Sequence, residues 1–240
     1  MPLSDRGTTD QLLYASKGPR QCPIQAWYEA LIYCQRAPGS HVFVVESIEH
    51  HKQPWNKLHD EFLLLRVAPV DTDGGARTRI IIIGRTIQRP FDCVLTYPRP
   101  GLLSELGILG PAIEWVMVLP RGNHDVTLQQ PLSSISWSRR DGFAPRLVDL
   151  IRIFRHVSIV QPNFNVFTTQ CCWFARAAYL VTRAVYYSGH ISEREWDKHW
   201  NLSPALRFGT LSRTTLMTSH STCEALETLI AYHAFVLDRD

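Results

Sequence analysis

The sequence contains little lysine, few cysteines and no long hydrophobic run. Only four of its 25 basic residues are lysine, and the formal net charge is +3 over 240 residues. A dedicated nucleic-acid-binding protein usually carries a more concentrated positive charge, so the composition predicts no nucleic-acid partner. No apolar stretch approaches 18 residues, which argues against an integral membrane segment.

The six cysteines are too sparse for a secreted disulfide scaffold. None of them forms the Cys-x-x-Cys pair of a structural zinc site, so reduced thiols are predicted. Residues 1–20 are polar and contain no apolar run that could serve as a signal peptide. We therefore expect a cytoplasmic protein.

Apolar residues make up 45% of the chain, which is enough for a full hydrophobic core. Residues 1–22 are rich in polar and turn-forming residues and are predicted to form a flexible N-terminal arm. A single domain is predicted over residues 23–240. Its first element is a helix, because apolar residues recur at helical spacing from Trp27 to Cys34.

Short β-branched runs predict the strands of an antiparallel sheet. These runs cover residues 41–48, 59–68, 78–88, 113–119 and 132–137. Helical patterns are predicted over residues 145–159, 171–187, 192–199 and 219–237, which leaves a core at 59–187 and a C-terminal helical extension at 190–240. The predicted fold class is α+β, with a small antiparallel sheet packed against a cysteine-bearing helix and extra N- and C-terminal helices.

The second and third runs are predicted to form a hairpin centred on Asp73 and Gly74. Its register would place Gln88 opposite His59, with Thr86 two places along on the same face. That face would also carry the apolar residues of both strands: Leu63, Leu65, Val67, Ile80 and Ile82.

A predicted helix follows the N-cap candidates Thr168 and Thr169 and continues to about residue 187. Cys171 lies in its first turn. At 100° per residue it shares a side with Phe174 and Ala178, whereas Cys172 falls beside Arg176. Backbone N–H groups and the positive end of the helix dipole favour the thiolate in a first helical turn. Cys171 is therefore the candidate nucleophile, although a small buried thiol is the commoner role of a cysteine.

His59 is the candidate partner of this thiol. It begins a strand whose same-face residues are apolar and would pack against a helix. In the predicted register Gln88 or Thr86 would orient its imidazole.

These residues resemble the permuted papain-like fold, in which the histidine precedes the cysteine. The resemblance rests on His-x-Glu-Phe at 59–62 and on Gln-Cys-Cys-Trp-Phe-Ala at 170–175, and it spans about residues 59–185. The group includes relatives of lecithin retinol acyltransferase and permuted-papain isopeptidases. The two motifs are most similar to those of a set of proteins from mushroom-forming fungi.

The resemblance implies that His59 deprotonates Cys171 and that the thiolate attacks an acyl carbon. The backbone N–H of Cys171 and the neighbouring Gln170, which stands where the family motif has asparagine, would hold the oxyanion. The implied substrate is a peptide, an isopeptide or a lipid that carries an acyl group, and no metal or organic cofactor is required. The alternative is a catalytically inactive interaction module on the same fold.

Other motifs favour weaker interpretations. Cys172-Trp173 resembles the cysteine neighbourhood of unpermuted papain proteases, which would need one of the later histidines as base: His190, His199, His220 or His233. Residues 122–125 match the Gly-Asn-His-Asp element of metallophosphoesterases, but its companion motifs are missing and a polar turn is predicted instead. His50 and His51 are predicted to lie in a solvated loop, and Trp196 and Trp200 to pack one helix.

Overall fold

The structure is a computed structural model with four helices and eight strands in its described part. It describes residue 13 and residues 20–38, 40–52, 61–70, 78–87, 109–119, 130–138, 144–165, 171–186, 190–193 and 220–237. The strands are β1 (Arg20–Pro23), β2 (Phe43–Lys52), β3 (Glu61–Pro69), β4 (Arg79–Ile87), β5 (Leu109–Val118), β6 (Ser133–Ser136), β7 (Asn163–Asn165) and β8 (His190–Glu193). The helices are α1 (Ile24–Gln35), α2 (Leu147–Val160), α3 (Cys171–Val185) and α4 (His220–Leu237).

All strand pairs of the sheet are antiparallel, in the order β1-β5-β4-β3-β2-β6-β8, and β7 also pairs with β5. The α+β class with an antiparallel sheet packed on helices is therefore confirmed. The central strands β3 and β4 carry continuous apolar runs, Phe-Leu-Leu-Leu and four consecutive isoleucines. Such runs are typical of strands that are buried on both faces.

The two faces of the sheet belong to separate apolar clusters. On the helix face, Leu63, Leu65, Ile81 and Ile83 are buried in one core with residues of α1, α2 and α3, and partly buried residues of α4 pack against this core. On the second face, the buried side chains form a smaller cluster: Phe62, Leu64, Ile80, Ile82 and Leu119, with Trp115 and Met117 against them. The larger core positions α3 across β2, β3 and β4.

The predicted hairpin register of β3 and β4 is wrong by one residue. Leu63 pairs with Ile83, whereas the prediction paired it with Gly84. Because successive side chains of a strand alternate between faces, this shift moves every β4 side chain to the opposite face. Thr86, exposed and paired with Ile113, therefore lies on the second face and cannot orient a side chain on the helix face. His59 and Gln88 lie outside the described residues.

Strand β2 is longer than predicted, and the solvated loop predicted at His50 and His51 is wrong. Both histidines are buried near the end of the β2–β3 ladder, where His50 pairs with Leu63 and His51 with Phe62. The register shifts between Val45 and Ser47, as a β-bulge does. After the bulge, His50 points to the helix face and His51 to the second face.

The two ends of the chain also differ from the prediction. The predicted arm over 1–22 contains β1, which pairs with β5, and Leu13 is only 1% exposed. The predicted helix over 192–199 begins instead as strand β8, which pairs with β6, so the extension over 190–240 is not wholly helical. The helices predicted after Pro23 and over 145–159, 171–187 and 219–237 are confirmed. None of the helices described is long and apolar enough to span a membrane.

Gly84 occupies a strand position where an indole ring lies directly against the backbone. A Cβ added there would lie 2.8 Å from Cε2 of Trp115, its cross-strand partner, and closer still to Cζ2. The ring is rigid, so the strand or the indole would have to move. We expect Gly84→Ala to lower the free energy of unfolding by about 1–2 kcal/mol in urea titrations. The loss should shrink in a Trp115→Leu background, and an equal loss there would contradict the close approach as its cause.

Candidate functional site

Helix α3 begins at Cys171, a residue that the prediction placed in the first helical turn, and lies on the helix face of the sheet. Phe174, Ala178 and Val181 are almost fully buried, whereas Arg176 and Arg183 are only partly buried. The predicted inward phase of the helix is therefore confirmed for its described side chains, which begin at Trp173. The thiols of Cys171 and Cys172 are not among them.

A histidine and a carboxylate pair with each other beneath α3. His50 Nε2 lies 2.8 Å from Glu61 Oε2, and the two side chains are 1% and 3% exposed. The imidazole ring is 6.4 Å from the ring of Tyr179 on α3. A buried carboxylate is stable only with such partners, because burial without them costs several kcal/mol.

A second buried pair lies next to the first turn of α3. Arg85 Nε is 3.5 Å from Glu114 Oε1, and the two side chains are 0% and 10% exposed. The Arg85 guanidinium also donates to the backbone carbonyl oxygens of Asn163, at 3.0 Å, and Gln161. Its Cζ lies 5.5 Å from the Trp173 ring, within cation–π range. Arg85 thus connects the sheet to the segment between α2 and β7 and to the start of α3.

The two pairs form one line of ionisable residues across four neighbouring strands. The last pair of the β3–β4 register is Phe62 with Gly84, so Glu61 and Arg85 occupy the next positions along the two strands. Arg85 in turn is directly opposite Glu114 on β5. We call the four residues His50, Glu61, Arg85 and Glu114 the ionisable row.

The direction of α3 over the ionisable row follows from two ring contacts. Trp173, in its first turn, contacts Arg85 of β4, whereas Tyr179, two turns further on, faces His50 of β2. The helix therefore crosses the strands from β4 towards β2. Its first residue, Cys171, therefore lies nearer to β4 than to β2.

A third ionisable group lies on the second face of the sheet. Glu49 is 2.9 Å from Nε2 of His51 and accepts a hydrogen bond from Nε of Arg66 at 3.0 Å. Burial raises the pKa of the Glu49 carboxyl, but the hydrogen bonds to His51 and Arg66 and the charge of Arg66 outweigh it and lower that pKa. The His51 ring stacks on Phe62 with centroids 5.5 Å apart. The group stabilises this face at the β2–β3 pair.

The predicted site residues are only partly placed. Cys171 begins α3 and Thr86 lies on the second face, whereas His59, Gln88 and Gln170 lie outside the described residues. The ionisable row was not predicted from the sequence. The available signal was a charged residue at the end of each central apolar strand, namely Glu61 before Phe-Leu-Leu-Leu and Arg85 after the isoleucines.

The histidines of the papain-order alternative are spread over separate elements. His190 is in β8 and His220 begins α4, whereas His233 contacts His156 at 3.1 Å. His199 lies outside the described residues, as do the Gly-Asn-His-Asp segment at 122–125 and the two tryptophans at 196 and 200.

The described part of the site thus consists of a helix that begins at a cysteine, Cys171, and the two buried charged pairs of the ionisable row beneath that helix. Within the described ranges, no three His, Cys, Asp or Glu side chains lie close enough together to hold a metal ion. Comparison with family models, curated proteins and solved structures gives no match for this chain.

Proposed function

We propose that the protein is a cysteine-dependent acyl hydrolase or acyltransferase in which Cys171 is the nucleophile and His59 the base. The observation that carries the proposal is the position of Cys171 as the first residue of α3, a 15-residue helix packed across the sheet. A thiol in this position lies beside first-turn N–H groups that have no partner within the helix. His59 is two residues before Glu61, where β3 begins.

The proposed reaction has two steps. His59 takes the thiol proton of Cys171, and the thiolate attacks the acyl carbon of an amide or ester. First-turn N–H groups stabilise the oxyanion, and its collapse breaks the bond to the amine or alcohol, which leaves with the proton from the imidazolium. Water or an acceptor nucleophile then gives a proton to His59 and attacks the thioester, which releases Cys171.

The ionisable row supports this chemistry from beneath the helix. Its four side chains are almost fully buried, so a substrate does not reach them. Arg85 contributes by holding the backbone of Asn163 and Gln161, which precedes α3, and by its contact with Trp173. A nucleophile held on a rigid element reacts faster because its orientation is fixed in advance.

Competitive alkylation of the six thiols tests the proposal. Burial raises the pKa of the Cys22 and Cys34 thiols, so both are poor nucleophiles at neutral pH. We expect iodoacetamide to label Cys171 at least about tenfold faster than these two at pH 7, because the helix start favours its thiolate. Peptide mass spectrometry after short exposures gives the rate for each cysteine.

Two variants separate catalysis from simple reactivity. Cys171→Ser should abolish hydrolysis of an activated acyl ester, whereas the matched Cys172→Ser should leave it within about twofold of the parent. His59→Gln should remove the rapid labelling of Cys171 at pH 7 and restore it at higher pH, where the thiol ionises unaided. Equal labelling of all six thiols in the parent would instead favour the non-catalytic interaction module.

A further inference from the structure

Two histidines contact each other where α4 packs against α2. His156 Nδ1 lies 3.1 Å from His233 Nε2, and the ring centroids are 5.1 Å apart. His233 is 4% exposed. A hydrogen bond between two ring nitrogens needs one that donates a proton and one that accepts with a free lone pair, so it cannot form when both imidazoles are protonated.

The surroundings of this pair on α1 and α2 are cationic. Arg152 and Arg155 precede His156 on α2, and both guanidinium groups contact Tyr28 of α1. Arg152 Nε donates a hydrogen bond to the Tyr28 hydroxyl at 3.2 Å, and Arg155 Cζ lies 5.4 Å from the centre of the Tyr28 ring. Asp149 is the carboxylate on this side, 3.5 Å from Arg152 and bound to Arg146 as well. Gln25 of α1 accepts a hydrogen bond from Arg155 and is neutral.

The other two helices do not offset this charge. The charged side chains of α3 are Arg176 and Arg183, both cationic. On α4 itself, the carboxylates Glu224 and Glu227 are exposed and lie six or more residues before His233. The nearest ionisable neighbour on α4 is Tyr232, whose ring is 5.8 Å from His156 and 5.2 Å from His233.

Burial and these cations oppose protonation of both imidazoles. Burial, followed by the charges of Arg155 and Arg152, lowers the pKa of His156. Burial, followed by the charges of His156 and Arg152, lowers the pKa of His233 to about 4. Both rings are therefore neutral at physiological pH in the packed state, and two neutral imidazoles can hydrogen-bond to each other.

We propose that the contact between His156 and His233 is a pH-sensitive switch that holds α4 against α2 at neutral pH and releases it in acid. A histidine free of these surroundings has a pKa near 6.5. The released state therefore binds protons that the packed state excludes, and the packing free energy is lost as the pH falls from about 6.5 towards about 4. The switch does not depend on the proposed enzymatic function.

Release of α4 would expose apolar surface next to the candidate site. Leu226, Leu229 and Ile230 of α4 pack against the larger core, and α4 contacts α3 as well as α2. Without α4, the flank of α3 loses its cover. Acid would thus act on the same helix that begins at Cys171.

Hydrogen–deuterium exchange of the full chain tests the switch. We compare pH 7.5 with pH 5.0 and correct each rate for the intrinsic pH dependence of exchange. Amide protection in α4 should fall by about tenfold at pH 5.0, whereas protection in β3 and β4 should be unchanged. Unchanged protection of α4 in the parent protein would overturn the proposal.

Variants identify the histidines as the cause. His233→Phe fills the same space without a titratable group, and His156→Gln removes the titration of the other ring. Each variant should weaken the pH dependence of α4 protection, and the double variant His156→Gln/His233→Phe should lose it, whatever the absolute level of protection. His41→Gln, two residues before β2, is the control and should keep the pH dependence of the parent. A tenfold acid effect that persists in the double variant would show that another group causes it.

Discussion

Arg85→Leu is expected to destabilise the protein by about 3–5 kcal/mol, because it leaves a buried carboxylate without its cation. The Arg85 side chain is fully buried, and it faces Glu114 and the carbonyl oxygens of Gln161 and Asn163. Leucine can satisfy none of these acceptors. Urea unfolding followed by far-UV circular dichroism gives the loss as a change in midpoint at constant slope.

A matched surface pair is the control for Arg85. Arg66 also bonds a glutamate, Glu49, at 3.0 Å, but its side chain is 41% exposed. Arg66→Leu should cost less than about 1 kcal/mol because water and salt screen such a pair. The double variant Arg85→Leu/Glu114→Leu should recover much of the loss, since it removes the unpaired carboxylate. A single Arg85→Leu variant as stable as Arg66→Leu would contradict the assignment of Arg85 as a buried clamp.

Glu61→Leu is expected to be the next most costly change, at about 2–3 kcal/mol. It removes the carboxylate that lies 2.8 Å from His50 Nε2, in surroundings that water does not reach. A hydrogen bond to a buried charged group is worth more than one between neutral groups. The free energy of unfolding from urea titrations is again the measurement.

Glu61→Gln distinguishes the lost hydrogen bond from the lost charge. The amide keeps the shape and one acceptor oxygen, so this variant should lose less than Glu61→Leu. The exposed Glu29→Gln on α1 should be neutral within about 0.5 kcal/mol. If Glu61→Leu were equally neutral, the His50–Glu61 pair would contribute nothing to stability.

Much of the fold follows from local patterns that are strong in this sequence. Helical spacing of apolar residues predicts α1, α2, α3 and α4 nearly to their ends, because each helix buries one side in the larger core. The β-branched runs likewise predict the central strands. These patterns depend only on which residues are apolar and become buried on folding.

The pairing of strands was less predictable, because it depends on loop geometry. A one-residue difference in where the chain turns between β3 and β4 exchanges the two faces of β4, and the apolar pattern does not oppose the exchange, since both faces of these strands are buried. For this reason Thr86 was placed on the wrong face. A strand with one polar face would have fixed the register.

The ionisable row was missed because the second strand was predicted to end at residue 48, which left His50 in a loop. Strand β2 instead continues to Lys52, and its bulge after Val45 places His50 on the helix face, paired with Leu63. Its partner Glu61 is 11 residues away in sequence. Long-range pairs of this kind become visible only when the register is known. The helix start at Cys171, a local feature, was predictable.

The shape of the sheet margins has a consequence for self-association. The described sheet order ends at β1 on one side and β8 on the other, and each strand is only four residues long. β1 ends at a proline and begins with an arginine, and β8 ends with a glutamate. Edge strands that are short and end in a charged residue or a proline offer a second molecule little backbone to pair with. The long apolar strands β3 and β4, which would favour amyloid-like stacking, lie between other strands of the described sheet, so their backbone edges are already paired.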